Sequence, residues 1–112
     1  MEANTVVTAL AALAQDSRLA IFRALVQAGP AGLAAGRIAE ATGIPPSSLS
    51  FHLKELTHAN LAHARQDGRF VIYTAQFDTM NALLGFLTDN CCGGNPCSPV
   101  SAPVCSPEKE SS

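Results

Sequence analysis

No cysteine occurs among the first ninety residues, although the chain has four. A thiol enzyme such as a reductase needs its nucleophile in a folded, activating pocket, so this body excludes one and no enzyme activity is expected. Positive charge is also short: 7 Lys and Arg stand against 9 Asp and Glu, for a net charge of -2 and a pI near 5.8. A nucleic-acid partner therefore has to be held by local charge rather than by a broad basic surface. No apolar run reaches membrane-spanning length, since Gln15, Asp16 and Arg18 break the N-terminal one, and the start shows no basic region followed by a cleavage pattern. These absences lead us to expect a cytoplasmic protein without a membrane partner. In that reducing compartment, clustered thiols more often hold a metal or do redox chemistry than form a disulfide framework.

What is present suits one folded domain. The 112 residues are 47% apolar and 14% charged, and a chain this short gains from sharing an apolar face with a second copy. After Asn90 the composition turns to Gly, Pro and Ser, with Glu108, Lys109 and Glu110 as the charged residues. We expect a folded domain over 1–90 and a flexible tail over 91–112.

Val6, Val7, Leu10, Leu13 and Ala14 recur at helical spacing and predict a first helix over 5–14. Asp16 is the expected N-cap of a second, with Leu19, Phe22, Leu25 and Val26 as its apolar stripe and Gly29-Pro30 and Gly32 as its end. A short helix over 33–41 carries Ile38 and Ala39 inward and closes at Thr42-Gly43; a longer one starts at Pro45-Pro46 and reaches about Ala59. The pair fits a helix-turn-helix. Strand-like runs over 61–66 and 70–75 flank Asp67-Gly68, which favours a type I′ hairpin with Arg65 and Arg69 close to its tip. Phe77, Met80, Leu83, Leu84 and Leu87 mark a last helix ending near Asn90, with Asp78 at its positive end. The expected fold is mainly α with a small β-hairpin, a homodimeric winged helix-turn-helix of order α-α-α-α-β-β-α.

On a helical wheel, Leu49, Leu53 and Leu56 anchor the second helix of the motif, and Ser47, Phe51, Lys54 and His58 face away, with Ser48 and Ser50 on the flanks. The N-terminal part of such a helix enters the major groove, which makes Ser47, Ser48, Ser50 and Phe51 the candidate base contacts and Lys54 a phosphate contact. Serines discriminate weakly among bases, whereas an outward phenylalanine can pack on a thymine methyl. Arg65 and Arg69 are candidates for phosphate or the minor groove. The structural alternative is that the serines merely cap the helix and cover solvent, and that the arginines rim a solvated loop. His52, close to the leucine stripe, reads as a half-buried, hydrogen-bonded histidine.

The segments SSLSFHLKEL and DGRFVIY, with the later NCCGG, resemble the arsenic-responsive branch of the ArsR/SmtB winged-helix repressors over roughly 7–97. The resemblance implies a homodimer built by the first and last helices, double-stranded operator DNA as partner, and release of that DNA by a thiophilic metal or metalloid. One departure stands out: the cysteine motif often found in the first helix of the helix-turn-helix is absent, since that segment reads LAAGRIAEA. No histidine follows His63 either, so the family's zinc site in the last helix is unavailable.

Sensing then falls to Cys91, Cys92 and Cys97, with Cys105 in reserve. Trivalent arsenic or antimony takes soft thiolates, and no organic cofactor is implied. Cys91 and Cys92 supply two sulfurs and Cys97 a third across Gly93-Gly94; two alone suit a methylated arsenical. Zinc is disfavoured because adjacent cysteines lack knuckle spacing. A thiol redox sensor on the same fold is the alternative, although a helix C-terminus beside Cys91 disfavours its thiolate. Met80, Leu84, Leu87 and Cys91 step by four, three and four, so one further helical turn puts Cys91 on the apolar stripe.

Overall fold

The structure, a computed structural model, describes residues 1–89. Helix α1 (Ala3–Leu13) buries Val6 and Ala9, and α2 (Asp16–Ala28) buries Ile21, Phe22 and Leu25. Gln15, not Asp16, caps α2: its side-chain oxygen accepts the Arg18 N–H at 2.9 Å, and Asp16 is already in the first turn, where a negative charge is favoured. Arg18 also closes the α1–α2 corner, its Nε donating to the Ala12 carbonyl at 2.7 Å. Leu19, expected in the core, is 44% exposed, because the inward stripe is rotated onto Ile21 and Leu25.

A single 3₁₀ turn, Gly29–Ala31, follows, and then a strand where a helix is expected. Leu33–Ala34 form β1, paired antiparallel to β3 (Phe70–Ala75) through Leu33 with Tyr73 and Ala34 with Ile72. Helix α3 therefore begins two residues late (Ala35–Thr42) and buries Ile38. It stops at Gly43, whose φ of 75° and ψ of 10° give the left-handed end expected there.

Helix α4 (Pro46–His58) enters through Pro45 and buries Leu49, Leu53 and Leu56. It ends in a Schellman motif: Leu61 N–H bonds the Leu56 carbonyl at 2.9 Å, Asn60 N–H bonds that of Thr57 at 3.0 Å, and Asn60 holds φ of 62°. Leu56 and Leu61, fully buried, are the apolar pair of that motif. Strand β2 (Ala62–Asp67) pairs with β3, giving the sheet order β1-β3-β2. Asp67 is opposite Phe70, so the loop is Gly68-Arg69; positive φ at Gly68 alone gives a type II′ pattern in place of type I′. Helix α5 (Phe77–Leu87) buries Thr79 and Leu83 and stops at Leu87, short of Asn90. Past it the bonding tightens, with Asp89 N–H on the Phe86 carbonyl at 3.3 Å. The core formed by Val6, Ile21, Leu25, Ile38, Leu49 and Leu56 fixes α4 with one face outward.

Candidate nucleic-acid interface

The outward face of α4 carries the side chains expected there. Ser47, Ser48, Ser50, Phe51 and Lys54 are all exposed, Phe51 by 56%. The N-cap is Pro45, which has no side-chain oxygen, and no serine hydroxyl caps the helix. Ser50 Oγ turns back to the Pro46 carbonyl at 3.4 Å, and among the described residues the hydroxyls of Ser47 and Ser48 have no hydrogen-bond partner. The serines therefore do not cap α4; they stand exposed to solvent. Lys54 likewise has no ion-pair partner among the described residues, where the recorded pair is Arg37–Glu40.

His52 is half-buried as expected but not hydrogen-bonded at Nδ1, which is buried without a partner. Its ring meets that of Phe51 edge-on, with centroids 5.6 Å apart at 64°. This ring contact, rather than a polar one, is what the histidine makes among the described residues.

The hairpin flanks α4 as a wing, and its two arginines part company. Arg69 is in the loop at the tip, exposed and without a described partner. Arg65, expected beside it, is opposite Ile72, two pairs below the tip, and one guanidinium N–H donates to the Ala31 carbonyl at 3.2 Å. Strand register decides this, and the tie links the wing to the turn before β1. Phe70, beside Arg69 and 64% exposed, is a tip residue that reasoning from apolar runs assigns to the strand interior. We expect Arg69→Ala to lower the slope of log affinity against log salt by ~0.9 per lost phosphate contact. Arg65→Ala should instead cost about 0.5–1.5 kcal/mol of stability with a smaller change in slope, as read by thermal melts and binding titrations.

A second surface is apolar. Leu13, Leu19, Phe22, Val26, Met80 and Leu84 line an open groove of about 420 Å³ between α2 and α5. Val7 and Leu10 on α1 and Phe86 and Leu87 on α5 are exposed as well. No cluster of His, Cys, Asp or Glu fit for a metal occurs among the described residues. Cys91, Cys92, Cys97 and Cys105, the expected metalloid ligands, lie outside them. No single described helix is long and apolar enough to cross a membrane.

A family profile described as a helix-turn-helix domain matches residues 13–64. The chain is 38% identical over 77 residues to an uncharacterized HTH-type transcriptional regulator, YceK of Bacillus subtilis (strain 168), covering 68% of this chain and 76% of that one. The homodimeric winged helix-turn-helix DNA-binding domain of Mb0332 from Mycobacterium bovis, a possible ArsR-family regulator, superposes with a TM-score of 0.62 at 28% identity, covering 85% of this chain and 88% of that one. The chain belongs to the ArsR-like winged helix-turn-helix transcriptional regulators. It is also similar to the nodulation protein NolR of Rhizobium meliloti, 35% identical over 80 residues, 71% of this chain and 63% of that protein, so the match spans less than two thirds of NolR. Reduced HlyU from Vibrio cholerae superposes with a TM-score of 0.62 at 27% identity, covering 80% of this chain and 90% of that one.

Proposed function

We propose that this ArsR-like protein binds a dyad-symmetric DNA operator as a homodimer and represses transcription until a trivalent metalloid releases it. The observation that carries the DNA-binding reading is the outward face of α4, where Ser47, Ser48, Phe51 and Lys54 serve no internal contact beyond the Phe51–His52 ring pair. Dimerisation is supported by the exposed Val7, Leu10, Phe86 and Leu87 and by the homodimeric state of the Mb0332 domain. In such a dimer the two α4 helices must sit about one DNA turn, roughly 34 Å, apart.

The inducer reading rests on sequence chemistry. Cys91, Cys92 and Cys97 offer three soft sulfurs to As(III) or Sb(III), and Cys91 and Cys92 alone offer two to a methylated arsenical. Helix α5 ends at Leu87, and Cys91, which one further helical turn would put on its apolar stripe, lies outside the described residues. Release requires the ligand to bind the weak-DNA state more tightly than the strong-DNA state. A redox reading of the same thiols is the second possibility, favoured by the likeness to a solved structure named as reduced HlyU.

The test is selection of an operator from random DNA, followed by titration with arsenite, antimonite or methylarsenite in reducing buffer and, in a separate arm, with peroxide after the reductant is removed. Cys91→Ser should keep operator affinity within about twofold and lose release by arsenite, while Cys97→Ser should stay responsive to methylarsenite. Undiminished release of Cys91→Ser by arsenite sinks the ligand assignment. Release by peroxide alone supports the redox reading, and a wild-type chain that selects no DNA sinks the regulator reading.

A further inference from the structure

We propose that Asn60 is a positioning residue that sets the angle between α4 and α5, and through it the half-site spacing an operator must have; the second clause rests on the DNA-binding dimer proposed above. The backbone states the problem. Asn60 occupies the left-handed position that ends α4, with φ of 62°, and is the only non-glycine residue of positive φ among the described residues. Glycine adopts that conformation without a steric cost, so an asparagine there has to be explained by its side chain.

That side chain is used twice, both times toward α5. Nδ2 donates to Thr79 Oγ1 at 3.1 Å, and Oδ1 accepts from Gln76 Nε2 at 3.3 Å. Gln76 is the N-cap residue of α5, and its backbone N–H bonds the Leu61 carbonyl at 2.9 Å. Thr79, in the first turn, is the single buried polar residue among the described residues, 8% exposed. A buried hydroxyl needs a partner, and Asn60 provides it from the left-handed position just past the end of α4.

Helix α5 has few other anchors. Of its eleven residues, Thr79 and Leu83 are buried, whereas Phe86 and Leu87 are exposed. Leu83 is buried and Phe77 and Met80 pack only partly buried against the core, and apolar contacts of this kind leave a helix free to swivel where a directional bond does not. The two bonds of Asn60 join the end of the element that faces DNA to the start of one that presents an apolar face to a second copy. A rotation of α5 about this joint is carried across the two-fold axis into the separation of the two α4 helices.

The experiment uses the full chain with three substitutions. Asn60→Gly keeps the left-handed end and deletes both side-chain bonds; Thr79→Val keeps the shape and deletes the hydroxyl; Thr79→Ser restores the hydroxyl. Residual dipolar couplings on DNA-free protein should report one α4–α5 orientation in the wild type and Thr79→Ser, and a broadened one in Asn60→Gly and Thr79→Val. Operators whose half-sites are moved by one base pair should be discriminated about fivefold less well by those two variants, with self-association unchanged. Wild-type couplings in both Asn60→Gly and Thr79→Val overturn the proposal. Broadened couplings with unchanged spacing preference overturn its second clause. A wild-type chain that binds no DNA sinks the regulator reading, while the couplings still decide whether Asn60 fixes the joint.

Discussion

The variant Gly32→Ala is expected to lose about 3 kcal/mol or more of stability and to melt roughly 12–24 °C below the wild type. Two independent costs meet at this position. Gly32 has φ of 72° and ψ of -172°, a region that residues with a Cβ scarcely enter, at a cost of about 1–3 kcal/mol. A Cβ there also lies 2.5 Å from the Tyr73 carbonyl oxygen, 2.6 Å from Thr74 Cγ2 and 2.8 Å from Ile72 Cγ2. The nearest of these atoms is backbone in the central strand of the sheet, so it cannot move without disturbing the pairing of both β1 and β2. Gly29 is the internal control: its φ of 73° and ψ of -161° are nearly the same, but nothing lies within 4 Å of an added Cβ. Gly29→Ala should therefore show the conformational cost alone, and equal melting temperatures for the two variants would sink the crowding argument. The effect bears on function because Ala31, beside Gly32, receives the Arg65 hydrogen bond that ties down the wing.

Gly32 also marks the boundary of what can be read from sequence. Features governed by near neighbours were legible: the spacing of Leu49, Leu53 and Leu56, the Pro45-Pro46 entry to α4, the left-handed Gly43 and the position of the wing all stand as expected. Features governed by a distant partner were not. Leu33–Ala34 is a strand because Tyr73 and Ile72 are beside it, and two residues carry no period of their own. Leu19 differs from Ile21 in where α3 and α4 stand, since hydrophobicity cannot choose between them. Arg65 leaves the tip because register puts it opposite Ile72, and Asn60 turns toward a threonine nineteen residues on. Of the candidate interface, the exposure of α4's outward residues and of Arg69 was legible, while the unpartnered Nδ1 of His52 and the exposure of Phe70 depend on packing.

Phe51→Ala is expected to weaken operator binding about 15-fold while leaving the melting temperature nearly unchanged. A phenylalanine 56% exposed to solvent contributes little to the core, and its described ring contact is the edge of His52. Substitutions of this kind stay within about 0.5 kcal/mol of wild-type stability. On DNA the same ring can cover a thymine 5-methyl, the one apolar group on a major-groove base edge. Burying a methyl is worth about 0.8 kcal/mol, so two half-sites give about 1.6 kcal/mol, or roughly 15-fold in affinity. Uracil provides the matching deletion on the DNA, since it lacks only that methyl. Wild-type protein on an operator with uracil at the contacted step should lose the same factor, and Phe51→Ala on that operator should lose little more. A loss that is equal on thymine and uracil operators would show that Phe51 acts through His52 and the placement of α4 rather than by touching a base. In that case the specificity has to come from Ser47, Ser48, Ser50 and the spacing of the two half-sites, because these are the remaining candidate base contacts and geometry of α4 that can distinguish one operator from another.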